Sequence, residues 1–337
     1  MSASVHYRRN EALRTIRPGY PGNKLIGKEF CNGETLYEPQ FSTVLRWQLT
    51  ANPQKEEKKR DTWTPQVIPC AEAFFSHDDM LVWLGHACFL LRIGGVSLLF
   101  DPVLFSSFGL RHRHALPCRP EDVRNIDYLL LSHGHRDHCD ERTIKLLARQ
   151  NPQLQVLSSL AMAPLLRGFV PALPVQEAGW WQQYDLEPKV PFDIYYLPAS
   201  HWHRRGLLDL NEILWGSFLI KTADRTIYFA GDTNYADHFE EIEQVFGPLD
   251  IVLMPIGAYK PAFMMHGSHQ NPHEAAKAAN VLRAGHVVPM HHGTFDLSDE
   301  PASEPLRLLT EVAAGGLLRG VLHAPAVGEV LDWTRWE

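Results

Sequence analysis

No run of roughly 18 apolar residues, the length a membrane-spanning helix needs, occurs in this chain of 337 residues. The opening stretch Met1-Ser-Ala-Ser-Val-His-Tyr-Arg-Arg-Asn10 also lacks the apolar core of a secretory signal. The expectation is a soluble, cytoplasmic protein whose membrane contact, if any, is peripheral. Excess positive charge is missing as well: 32 Lys+Arg against 39 Asp+Glu leave a formal net charge of −7. A phosphate backbone attracts the opposite sign, so no nucleic-acid partner is expected. Cysteine pairs are absent, because Cys31, Cys70, Cys88, Cys118 and Cys139 are odd in number, far apart and form no C-x-x-C motif. That argues against a disulfide framework and for a reducing compartment. Internal repeats and low-complexity tracts are lacking too, which removes solenoids and propellers.

What remains is ordinary globular composition, 45% hydrophobic and 21% charged. Residues 1–78 are polar and punctuated by proline, and carry the charge run Lys55-Glu-Glu-Lys-Lys-Arg60. They read as an N-terminal extension packed on a main domain over 79–337. That domain opens with the strand-like runs Leu81-Val-Trp-Leu-Gly85, Cys88-Phe-Leu-Leu-Arg-Ile93 and Val96-Ser-Leu-Leu-Phe100, the last two joined by the hairpin pair Gly94-Gly95. Leu154 to Glu187 suggests packing more than chemistry.

The chain is organised around Leu130-Leu-Ser-His-Gly-His-Arg-Asp-His-Cys139. Here His133, His135, Asp137 and His138 follow Tyr128-Leu-Leu-Leu131, an apolar run of buried-strand type. Two imidazoles one residue apart in a loop can aim at one ion, and Asp137 with His138 can serve a second beside it. Imidazole nitrogen and carboxylate oxygen are the usual donors for a borderline metal such as zinc. Cys139 reads either as a neighbour of the metals or as a small buried apolar residue. Asp140 is placed to cap a helix through Ala148.

Later strand ends repeat the pattern. Asp193-Ile-Tyr-Tyr-Leu197 leads to His201, and Thr226-Ile-Tyr-Phe-Ala230 runs into Gly231-Asp232, a carboxylate able to bridge two metals. His286-Val-Val-Pro-Met290 delivers His291 with His292 beside it. Between them Asn271-Pro272-His273-Glu274 announces a helix that should stop at Gly285. Ligand loops along one edge of a sheet are how α/β architectures assemble a site. The apolar loop Pro261-Ala-Phe-Met-Met265 either meets an acyl chain or packs under the extension, and the basic loop Arg111-His-Arg-His114 is either solvated or a phosphate contact.

The H-x-H-x-D-H order resembles the metal-binding signature of the metallo-β-lactamase superfamily. Within it the chain is similar to the N-acyl-phosphatidylethanolamine-hydrolysing phospholipase D family. The matching stretches are Trp83-Leu-Gly-His-Ala87, Ser200-His-Trp202, Leu214-Trp-Gly-Ser217, Phe229-Ala-Gly-Asp-Thr233, Phe246-Gly-Pro248, Pro255-Ile-Gly-Ala-Tyr259 and His292-Gly-Thr-Phe295. Arg136 and His292 depart from the tyrosine and tryptophan of the animal enzymes.

The resemblance implies a four-layer αβ/βα sandwich of two mixed sheets. It implies two zinc ions, one held by His133, His135 and His201, the other by Asp137, His138 and His291, with Asp232 bridging. His135 stands where the flavodiiron branch has glutamate, which favours hydrolysis. The implied reaction is attack of a metal-bridging hydroxide on phosphorus, with Asp137 orienting the hydroxide and His269 facing the cleft to contact substrate or assist the leaving group. His86, Arg136, Arg204 and Tyr259 would then line the substrate side, Arg204 by neutralising a phosphate oxygen. The expected partner is a small-molecule or phospholipid substrate, and a homodimer is left open. A lactonase acting on a phosphorylated sugar acid and a non-catalytic metal-holding interaction module stand as the alternatives.

Overall fold

The computed structural model describes residues 4–36, 41–106 and 109–336. Its first sheet follows from strands that are apolar on both faces. In Tyr128–Leu131, Tyr128 and Leu130 enter one core while Leu129 and Leu131 enter another. The same alternation separates Leu81 and Trp83 from Val82 and Leu84, and Phe89 and Leu91 from Cys88 and Leu90. Such strands must lie between two covering layers. Seven strands form this sheet, in the order Val175–Ala178, Gln155–Ser159, Tyr128–Leu131, Val96–Phe100, Cys88–Ile93, Met80–Gly85, Val330–Leu331. The first four run parallel and the remaining neighbours antiparallel. Gly94 and Gly95 both take positive φ, 56° and 79°, as the tight hairpin requires.

The second sheet has eight strands, ordered Val321–Leu322, His286–Met290, Ile251–Pro255, Thr226–Phe229, Ser217–Lys221, Asp193–Leu197, Gln182–Gln183, Arg14–Thr15. It too mixes parallel and antiparallel pairs. The core shared by the two sheets is aromatic, with Phe100 stacked on Phe229 at 4.8 Å and edge-on to Phe218 at 6.2 Å. Helix Glu141–Gln150 covers the outer face of the first sheet through Ile144 and Leu147. Its Asp140 cap accepts a hydrogen bond from the Thr143 backbone N–H at 2.8 Å. Helix Pro272–Val281 lies against Ile251–Pro255 on the other side. Two mixed sheets face to face with helices outside are the expected αβ/βα sandwich.

One local expectation needs correction, and one stretch gains detail. Helix Pro272–Val281 starts at its Asn271 capping box but ends before Gly285, because Arg283 turns to φ 49° and Gly285 N already donates to Leu249 O at 3.0 Å. The stretch from Leu154 to Glu187 contributes strands Gln155–Ser159 and Val175–Ala178 and helix Ala163–Phe169. These elements are short and mixed in polarity, so pairing with neighbours and not their own pattern defines them.

The N-terminal residues are woven into the sandwich. Arg14–Thr15 pairs with Gln182–Gln183, and Val67 bridges Val327. Helix Phe41–Leu49 packs on helix Ala262–Met265, with the Arg46 guanidinium 4.2 Å from the Phe263 ring centre. That packing covers Pro261–Met265 only in part: no residue of helix Ala262–Met265 is buried and the Phe263 side chain stays exposed, so neither reading of the segment is decided by it. Among the described residues no helix is long and apolar enough to cross a membrane.

Candidate metal centre

The ligand turn begins where Tyr128–Leu131 ends. Ser132 donates its backbone N–H to Asp101 Oδ1 at 2.8 Å and its hydroxyl to Asp101 Oδ2 at 2.5 Å. Asp101 closes the adjacent strand Val96–Phe100 and also binds His138 Nδ1 at 2.8 Å. Ser132 Oγ lies 2.9 Å from His133 Nδ1. A buried carboxylate thus fixes the faces of two motif histidines, leaving their Nε2 atoms directed inward. Gly134 has no substitute: a Cβ there would lie 2.5 Å from Nε2 of His203, whose ring stacks on His135 at 5.6 Å.

Two donor groups result. In the first, His135 Nδ1 lies 2.9 Å from His133 Nε2 and 3.1 Å from His201 Nε2. In the second, Asp137, His138 and His291 converge with His86. Asp137 Oδ2 is 3.6 Å from Nε2 of both His138 and His291, and 3.1 Å from His86 Nε2. Asp232 Oδ2 stands between the groups, 3.1 Å from His291 Nε2, 3.2 Å from His138 Nε2 and 3.8 Å from His201 Nε2. Backbone holds the second-sheet ligands: Ser268 O meets His201 Nδ1 at 3.0 Å, and His291 N donates to His86 O at 3.1 Å. His86, Asp101 and His291 take positive φ of 53°, 36° and 60°, a backbone strain that the surrounding structure holds in place. Gly257 lets the chain pass His291, whose carbonyl oxygen would be 2.1 Å from an added Cβ.

Electrostatics and unmet bonding both suit a cation. Burial opposes charge on His138, yet Asp232, Asp137 and Asp101 hold it well above the ordinary histidine range. His291 is likewise pushed up to about 9 against burial, by Asp232 and Asp137. Burial would raise Asp137 and Asp232, but the histidines around them hold both well below the carboxylate range. Burial and like neighbours keep His133 and His135 well below their normal range, and burial lowers His201 to about 4, so all three offer neutral lone pairs. His138 Nε2, His291 Nε2 and Asp232 Oδ1 are buried without hydrogen-bond partners. Carboxylates that draw positive charge beside neutral imidazoles form the donor set of a divalent N/O metal site.

The other expected site residues divide. His269 sits at the rim, its Nδ1 4.0 Å from Asp232 Oδ2 and its ring 5.2 Å from His201. His86 braces Asp137. Arg136 reaches the carbonyl of Arg205 at 3.4 Å. Arg204 is exposed and gives its guanidinium to the carbonyls of Gly206 and Leu207, at 3.1 and 3.0 Å, instead of facing the donors. Tyr259 is turned away as well: its hydroxyl donates to Glu304 at 2.5 Å. These bonds hold the Arg204 guanidinium on its own loop and the Tyr259 hydroxyl on Glu304.

A family model described as the Beta-lactamase superfamily domain matches residues 97–292, which contain His133, His135, Asp137, His138, His201, Asp232 and His291 but not His86. The chain belongs to the metallo-β-lactamase superfamily. Among its relatives, N-acyl-phosphatidylethanolamine-hydrolyzing phospholipase D 1 of Caenorhabditis elegans is 32% identical over 286 residues, 81% of this chain and 80% of that one. The mitochondrial enzyme of the same name from Saccharomyces cerevisiae is 33% identical over 259 residues; they cover 73% of this chain but only 54% of the yeast protein. The isothiocyanate hydrolase from Delia radicum gut bacteria shares the fold, with TM-score 0.59 at 20% identity over 75% of this chain and 98% of that one. The chain is therefore a metal-dependent hydrolase.

Three residues of this hydrolase's centre escaped sequence reasoning. Asp101 carried a signal, since it too is a polar residue at the end of a buried strand, but Asp-Pro reads first as a turn. Ser132 and Thr294 carried none. The Thr294 hydroxyl accepts from His86 N at 2.7 Å and meets His114 Nε2 at 3.0 Å, across long sequence separations.

Proposed function

We propose that the protein is a dinuclear zinc phosphodiesterase acting on a phospholipid of the N-acyl-phosphatidylethanolamine type. The observation that carries this reading is Asp232 Oδ2, set between two donor groups each able to hold an ion. His133, His135 and His201 would hold one zinc and Asp137, His138 and His291 the other. When bound, such ions lower the pKa of water toward neutrality and take up negative charge that develops on phosphorus-bound oxygens.

The chain's own groups do the positioning. His86 Nε2 meets Asp137 Oδ2 and so directs the remaining Asp137 oxygen, which can accept a hydrogen bond from an attacking water. Burial lowers His269 to about 3, so near pH 7 it is neutral. It then offers an N–H to a substrate oxygen and is no imidazolium acid. Arg136, partly exposed beside the donors, supplies positive charge at the mouth. The similarity to the worm and yeast enzymes supports the lipid, and the free cysteines support a reducing, cytoplasmic setting.

The test is a hydrolysis panel on zinc-loaded protein with a lipid phosphodiester, a soluble aryl phosphodiester, a lactone and a β-lactam. Phosphodiester turnover, together with two zinc ions per chain by elemental analysis, is expected. Turnover of the lactone alone, or a single metal per chain, overturns the reading.

A further inference from the structure

Leu207 and Leu208 are the most exposed large apolar side chains among the described residues, at 85% and 93% of full accessibility. Two adjacent leucines held in water forgo the favourable transfer that burial would give. The loop that carries them is firmly built. The Asp209 carboxylate accepts from Gly206 N at 2.7 Å and from Arg205 N at 3.2 Å. Asn211 N donates to His203 O at 2.7 Å, and Asn211 Oδ1 accepts from His203 N at 3.1 Å. A rigid loop with an apolar tip is a shape made to meet a partner.

Its location says which partner. Arg205 Nη1 clamps the loop base onto the ligand turn, through Gly134 O at 2.9 Å and Cys139 O at 2.8 Å. Arg204 N lies 3.3 Å from His135 Nε2. Within that turn His133 and His138 are buried, whereas His135, Arg136 and Asp137 reach solvent, so the centre opens beside this loop. Arg136, Arg204 and Arg205 surround the base of the tip. Asp209, bonded to backbone N–H groups, keeps its negative charge, and Asp140 and Glu141 act on Arg205, so the positive charge facing outward is that of Arg136 and Arg204; Glu212 lies 3.9 Å from Lys28. An apolar point above a cationic collar matches the boundary between acyl chains and anionic headgroups.

We propose that the Leu207–Leu208 tip is a docking wedge that seats the hydrolase on an anionic bilayer, with the mouth of the metal centre against the headgroups. This deepens the phospholipid reading and rests on it.

Flotation of the zinc-loaded full chain with phosphatidylcholine vesicles, with and without phosphatidylserine, tests the wedge without requiring turnover. Binding to the phosphatidylserine vesicles, weakened by salt, is expected. Leu207→Ser combined with Leu208→Ser should weaken it by about tenfold or more. Melting temperature and turnover of a soluble aryl phosphodiester should stay unchanged. Leu208→Trp should shift its emission to the blue when vesicles are added. Equal vesicle binding by wild type and the double variant overturns the wedge, as does no binding by wild type. A dimer of the wild type that the double variant abolishes also overturns it, since the tip would then cover a second copy. Vesicle binding without phosphodiester hydrolysis would uphold the wedge and sink the substrate reading instead.

Discussion

The two sheets equip one centre in different ways. The first sheet delivers His133, His135, Asp137 and His138 from one short turn, braced by the Asp101 carboxylate. The second delivers His201, Asp232 and His291 from three separate strand ends, held by backbone contacts such as Ser268 O on His201. A contiguous turn fixes which donors are present. The dispersed set fixes where they meet, because each position depends on a different strand pairing. The residue that stands between the two donor groups, Asp232, therefore comes from the dispersed side.

If that contrast holds, the largest loss comes from the dispersed half. Asp232→Asn should cut hydrolysis by at least about 100-fold, beyond what removing an outer-shell partner costs, while the circular dichroism spectrum stays native. Nearly unchanged turnover would make Asp232 an ordinary turn aspartate. Asp101→Asn probes the brace of the contiguous half and should lower metal affinity or activity by roughly 10- to 100-fold. An effect no larger than that of a surface substitution would show that the turn holds itself without the brace.

A milder effect concerns protons. Near pH 7 the metal-free centre should carry protons on His138 and His291, since both titrate above the ordinary value of 6.5. The stabilisation from a protonated His291 is complete below 6.5 and is lost as pH rises through about 9. Metal loading must displace these protons, so zinc affinity should rise with pH toward 9, with proton release visible by calorimetry in buffers of different ionisation enthalpy. Loading at pH 7 without proton uptake by the buffer would contradict the shifts. The smallest effect on turnover is expected for Tyr259→Phe. It should cost stability by about 1–3 kcal/mol, through loss of a buried bond to a charged partner, and leave kcat/KM unchanged. A large kinetic loss at constant melting temperature would return Tyr259 to the site.

Much of this was legible in the chain itself. Strands such as Cys88–Ile93, Val96–Phe100, Tyr128–Leu131 and Asp193–Leu197 lie where their apolar runs place them, because burial on both faces writes itself into composition. The short elements between Leu154 and Glu187 were not legible, since their order comes from neighbours. Asp101 was visible only as a turn, and no local pattern showed that the Arg204 guanidinium would bond to Gly206 and Leu207 or the Tyr259 hydroxyl to Glu304.

By itself the sequence determined the donor types and their order after strand ends, which follow from residue identity and periodicity, both local properties; the αβ/βα class came with the resemblance to the superfamily that those motifs carry. Only the tertiary structure decided that Asp232 stands between the two donor groups, that Asp101 aims His138, and that Leu207 and Leu208 project beside the opening. Those facts depend on distances between residues far apart in the chain, and such distances are set by strand pairing and packing, which no local pattern encodes.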